Sequence, residues 1–150
     1  MAAGAYNLYS QALLEMGNGS FNLSTNTFVM ILATSAYTPA PNTDATYANV
    51  SADELATGNG YTVGGEVLSG VTFTTTGGVA TFTCTSPTWA SFSGTFRYGI
   101  ILSRAGSSLA STDKLLCYSD LGGGASVTGG GGTLTVTTNA SGIFTISHTP

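Results

Sequence analysis

The chain has 150 residues, of which 7% are charged and 42% hydrophobic, with a formal net charge of −4. An ordinary soluble protein carries roughly a quarter charged residues, and disorder couples low hydrophobicity to high charge, so this composition excludes a disordered chain and predicts one domain with a proper core over residues 1–150. Arg97, Arg104 and Lys114 are the only basic residues, which excludes the clustered cations of a nucleic-acid binder, and no apolar run approaches the ~18 residues of a membrane span.

The opening, "MAAGAYNLYSQ", has no basic residue ahead of an apolar core, so it does not read as a secretory signal, and synthesis in a cytosol is the expectation. Tyr6, Tyr9, Leu13 and Met16 fall at helical spacing, and "GNG" at Gly17–Gly19 supplies a left-handed stop, predicting a short N-terminal helix. Its tyrosines either pack on the chain's own sheet or present an aromatic contact to a neighbour. "FVMILATS", from Phe28 to Ser35, is a continuous apolar run and reads as a central strand. The following "AYTPAPNTDATYANV" is interrupted by Pro39 and Pro41 and reads as a long loop carrying Tyr37 and Tyr47. "SADEL" has Ser51 and Glu54 at capping-box spacing and predicts one helical turn.

Beyond it the chain alternates strand and turn. "GEVLSGVTFTTT" meets Gly77–Gly78, a hairpin signal, and returns as "VATFTCTS"; "TFRYGIILS", "DKLLCYSDL", "TLTVTT" and "GIFTIS" complete the set. The prediction is a mainly β, antiparallel β-sandwich or barrel-like domain with the short helix and the one helical turn, without internal repeat or linker. "LGGGASVTGGGG", Leu121–Gly132, lacks the lysine and following helix of a phosphate loop and reads as a bent strand connection.

No chemistry is legible. The seven acids, Glu15, Asp44, Asp53, Glu54, Glu66, Asp113 and Asp120, fall in no catalytic motif. Asp53 and Glu54 adjoin the predicted cap, where negative charge is favoured. His148 is a poor general-base candidate, and Cys84, Cys117 and one histidine do not make a zinc site, so buried free thiols are expected, with no metal or cofactor. Trp89, Tyr61 and Tyr98 suit stacking on sugar rings or packing in a core. The expectation is a protein that is not an enzyme. A surface with so little charge opposes association weakly, which predicts a homo-oligomer, or else a monomer kept soluble by Ser, Thr and Asn.

The order of "ALLEMGNGSFNL", "FVMILATSAYTP", "ATYANVSADELATGNGYTVGGEVLSGVT", "TWASFSGTFRYGIILSR", "KLLCYSDLGG" and "GTLTVTTNASGIFTIS" resembles a family of small tailed-bacteriophage virion structural proteins, over nearly the whole chain. The resemblance implies a β-rich component of the virion, assembled in the host cytoplasm, with no catalytic residue to carry over. Its first implication is an outer-capsid decoration (cement) protein whose partner is the major capsid protein, with a trimer favoured to match lattice symmetry. A tail or fibre component is the alternative. Candidate subunit or capsid contacts are Tyr6, Tyr9, Tyr37, Tyr47 and Arg97. By two-residue alternation Phe96, Tyr98, Ile100 and Leu102 share one strand face, with Arg97, Gly99 and Ile101 on the other. Arg97 therefore pairs with an acid of its own chain, such as Asp120, or crosses to a neighbouring subunit.

Overall fold

An apolar run such as Phe28–Ala33 has no polar face to offer water, and the fold places it inside a sheet with every residue fully buried. The computed structural model describes residues 1–147, so His148 lies outside the described residues. In chain order the elements are β1 (Asn7–Leu8), α1 (Ser10–Gly17), β2 (Thr27–Ala33), a 3-10 turn (Tyr47–Asn49), β3 (Glu66–Val67), β4 (Thr72–Thr76) and β5 (Val79–Thr83). They continue with β6 (Thr88–Phe92), β7 (Thr95–Phe96), β8 (Tyr98–Arg104), β9 (Leu115–Asp120), β10 (Val127–Thr128), β11 (Gly132–Thr135) and β12 (Phe144–Ser147). The result is mainly β, sandwich-like, with one short helix and one helical turn, as the sequence predicts.

The principal sheet has the order β1-β9-β8-β2-β3, and each pairing is antiparallel. Its backbone is the β2–β8 ladder, in register from Thr27↔Arg104 to Ala33↔Tyr98. A second sheet, β12-β5-β4, is built on the glycine hairpin: Gly77 and Gly78 take φ of 58° and 82°, the left-handed pair that a two-residue turn between twisted strands requires. Two-stranded ladders β11-β6 and β10-β7 complete the set. Phe28 of β2 meets Phe82 of β5 edge-on at 5.2 Å, and Phe82 stacks on Phe144 of β12 at 5.2 Å, so one aromatic chain ties the two larger sheets together.

Two local expectations are corrected. The helix begins at Ser10, so Tyr6 and Tyr9 precede it: Asn7 and Leu8 pair instead with Tyr118 and Cys117 of β9. Leu13 and Leu14 are both 54% exposed while Glu15 is buried, because Lys114 reaches Glu15 at 3.0 Å and satisfies its charge beneath the helix. The end of the helix is as predicted, with Gly19 at φ 74° just past the cap. The helical turn lies at Tyr47–Asn49, ahead of the Ser51–Glu54 segment, and its box is Thr46 with Asn49. Glu54 does not reach back to Ser51, since three other donors hold its carboxylate.

Candidate functional site

Prolines and turn formers give the segment between β2 and β3 little regular structure, so side chains must hold it. They do so through two carboxylates. The first is Asp44, whose Oδ2 accepts the Tyr37 hydroxyl at 2.7 Å and the Ala40 amide at 2.9 Å. A carboxylate only accepts, so Tyr37 uses its single proton there, and Tyr9 must donate to the Tyr37 oxygen at 2.8 Å. Tyr9 is fully buried and Tyr37 only 3% exposed. Burial first, and then this hydroxyl chain, raises the Tyr9 pKa; burial is likewise the main reason the Tyr37 pKa is raised. The same loop is fastened to the start of α1: the Ser10 amide donates to the Pro41 carbonyl at 2.8 Å, and the Ser10 hydroxyl to Asn42 Oδ1 at 2.9 Å.

The second carboxylate is Glu54. Tyr47 and Tyr61 donate their hydroxyls to it, Tyr61 at 2.6 Å, and the Gly64 amide donates at 2.7 Å. Tyr61 Oη in turn accepts the Leu32 amide of β2 at 3.1 Å, and its ring stacks on Trp89 of β6 at 6.4 Å. Burial, reinforced by Glu54, raises the pKa of both phenols. The two clamps therefore join the loop to α1, β2 and β6 and fix its course within the chain itself.

Arg97 sits in the break between β7 and β8, where its amide donates to the Ala33 carbonyl and its carbonyl accepts the Leu121 amide, each at 2.8 Å. Its guanidinium pairs within the chain with Asp120 Oδ2, Nη2 at 2.8 Å and Nε at 3.1 Å, and lies 4.8 Å from the centre of the Tyr98 ring. Asp120 also accepts the amides of Gly122 and Gly124, each at 3.1 Å, which folds the glycine-rich segment into a tight turn. The Arg97 hydrogen bond, above all, holds the Asp120 carboxyl below its usual range.

Of the candidate contacts, Tyr9 and Tyr37 are thus interior residues and offer no surface to a neighbour, because each phenol is consumed in the clamp. Tyr6 and Tyr47 are half-buried, and the Tyr6 hydroxyl is buried without a hydrogen-bond partner. Arg97 keeps a quarter of its side chain exposed. The structure brings Tyr9 and Tyr37 together and leaves the other three apart. Both cysteines are free thiols; burial pushes Cys84 up to about 11 and raises Cys117 well above its ordinary value. Among the described residues no group of three His, Cys, Asp or Glu side chains is placed to hold a metal, and no helix is long and apolar enough to cross a membrane.

The clamping roles of Asp44 and Glu54 escaped the sequence reading. One signal was there: Tyr37–Asp44, Tyr47–Glu54 and Glu54–Tyr61 are each seven residues apart. Comparison with protein families, with curated proteins and with solved structures found no match to this chain.

Proposed function

We propose that this chain is a bacteriophage capsid decoration (cement) protein that binds the major capsid protein on the outer surface of the head and stabilises the lattice. The observation that carries the reading is the doubly clamped loop: a long, proline-bearing segment whose course is set by Asp44 and Glu54. Docking an already ordered loop avoids most of the conformational entropy that binding otherwise costs. A surface with few charges pays little desolvation penalty on being covered, and weak contacts repeated over a lattice add up through avidity. A trimer fits the local threefold axes of such a lattice. The order of sequence motifs described above supports the same assignment to the virion.

The second reading, a tail or fibre component involved in host attachment, is favoured by one observation, the polar cavity at Arg104 described below. Immunogold electron microscopy of intact particles separates the two. Decoration predicts gold scattered over the head surface, and particles lacking the protein should release DNA at lower temperature. Gold confined to the tail would overturn decoration in favour of the second reading.

A further inference from the structure

At one end of the β2–β8 ladder, where Thr27 pairs with Arg104, a cavity of about 350 Å3 opens between the sheet and the segment that follows α1. It is lined by Ser20, Thr25, Asn26, Thr27, Ser103, Arg104 and Ala105. Asn26 holds it together, its amide nitrogen donating to Ser103 Oγ at 3.2 Å and to the Ser20 carbonyl at 3.4 Å. Apart from Ala105, every lining side chain carries a hydroxyl, an amide or a guanidinium.

Among the described residues Arg104 has no acid of its own. Of the three basic side chains, Arg97 pairs with Asp120 and Lys114 with Glu15 among the described residues. Asp113 comes nearest in the chain, but its two oxygens accept the backbone amides of Ala105 and Ala110. Glu15 is taken by Lys114 and Gln11, with Ser20 also contributing. Arg104 Nε is moreover buried with no hydrogen-bond partner. A buried charged donor without an acceptor is costly; Nε itself is closed to solvent, so an acceptor entering the cavity meets the guanidinium at its terminal nitrogens.

The two terminal nitrogens of a guanidinium form a fork that matches the two oxygens of a carboxylate. The remaining lining supplies paired donors and acceptors, the complement of hydroxyl groups. The volume lies at the lower end of the ~300–1,000 Å3 range of small-molecule sites, suited to a single ring. We propose that this cavity binds a carboxylate-bearing sugar, a hexuronic acid unit, with its carboxylate on Arg104 and its ring hydroxyls on Ser103, Asn26 and the threonines. The inference concerns this cavity alone and stands whether the chain sits on the head or the tail.

The test is a 15N–1H NMR titration of the full chain with D-glucuronate, glucose and acetate. Glucuronate should move the amides around Thr25–Thr27 and Ser103–Ala105 saturably, with a Kd of about 1 mM as expected for so small a ligand. Glucose should leave them in place, and acetate should bind at least tenfold more weakly. Arg104→Gln should weaken glucuronate binding at least tenfold while the spectrum stays dispersed. Arg104→Lys keeps the charge without the fork and should also weaken it, which covers the case in which the glutamine variant misfolds. Equal binding of acetate and glucuronate would overturn the sugar assignment. Absence of shifts at ~50 mM, far above the expected Kd, or binding unchanged in both variants, would overturn the site itself.

Discussion

Replacing Tyr37 by Phe should be far more damaging than replacing Tyr9, although both changes remove one hydroxyl from the same buried chain. In Tyr9→Phe the lost bond is the neutral 2.8 Å contact to Tyr37, while Tyr37 still donates to Asp44. That should cost about 1 kcal/mol. Tyr37→Phe removes the hydrogen bond to the Asp44 carboxylate, about 2 kcal/mol, and strands the Tyr9 hydroxyl without a partner, about 1–2 kcal/mol more. Tyr9 is fully buried, so water cannot replace the missing partner. The double variant has no stranded hydroxyl and should lose only about 2 kcal/mol, making it more stable than Tyr37→Phe alone. Urea unfolding followed by Trp89 fluorescence measures this directly, since Trp89 is the only tryptophan and is 2% exposed. With a slope of about 2 kcal/mol/M, the midpoints should fall by about 0.5 M, 1.5–2 M and 1 M for Tyr9→Phe, Tyr37→Phe and the double variant. A Tyr9→Phe loss equal to that of Tyr37→Phe, or a double variant as unstable as the sum of the singles, would refute the assigned direction of the hydroxyl chain.

Glu54→Gln should weaken the second clamp by about 2 kcal/mol, because three donors lose a charged acceptor, and native Trp89 emission should shift as the stacked Tyr61 moves. Gly65→Ala should destabilise by about 2–4 kcal/mol in urea, since φ is +66° and a Cβ would stand 2.0 Å from the Met30 carbonyl oxygen; Gly77→Ala, with φ +58° and open space, should cost only about 1 kcal/mol. The folded-state pKa values of Glu15 and Asp120 lie below their ordinary values of 4.5 and 3.8, chiefly through Lys114 and Arg97. Their stabilisation is therefore complete above those ordinary values and lost as pH falls through the folded ones. Glu15→Gln and Asp120→Asn should lower stability at neutral pH and flatten its decline as pH falls below those ordinary values in an acid titration. With Cys84 pushed up to about 11, only about one thiol in a thousand is thiolate at pH 8. A disulfide reagent should thus label the native chain slowly and the guanidinium-unfolded chain at two sites at once; rapid native labelling of fully buried Cys117 would contradict the packing.

The central strand and the glycine hairpin were legible because their causes are local. A run with no polar face must be buried, and Gly77–Gly78 supplies the backbone angles a two-residue turn needs. The start of the helix was not, because the spacing of Tyr6 and Tyr9 imitates a helical period while Asn7 and Leu8 are captured by β9, more than 100 residues away. Ser51 and Glu54 have capping-box spacing, yet two tyrosines outcompete the backbone for the carboxylate. Asp120 meets Arg97 because β8 and β9 are antiparallel neighbours with Asp120 opposite Tyr98; Lys114 under Glu15 depends on a long-range packing that no local pattern carries. The Arg104 cavity was invisible for the same reason, since its walls come from two segments nearly 80 residues apart.

The pairing of β2 with β8 has a consequence for synthesis. Phe28–Ala33, the most apolar strand of the principal sheet, leaves the ribosome about 70 residues before the strand that covers its longest edge. At ~5–20 residues per second, the nascent chain exposes that strand for roughly 4–14 s. Non-local pairing of this kind also slows folding once the chain is released. Throughout that interval the unpaired strand is a template for other nascent chains, so the yield of soluble protein should depend on how slowly and how sparsely it is made.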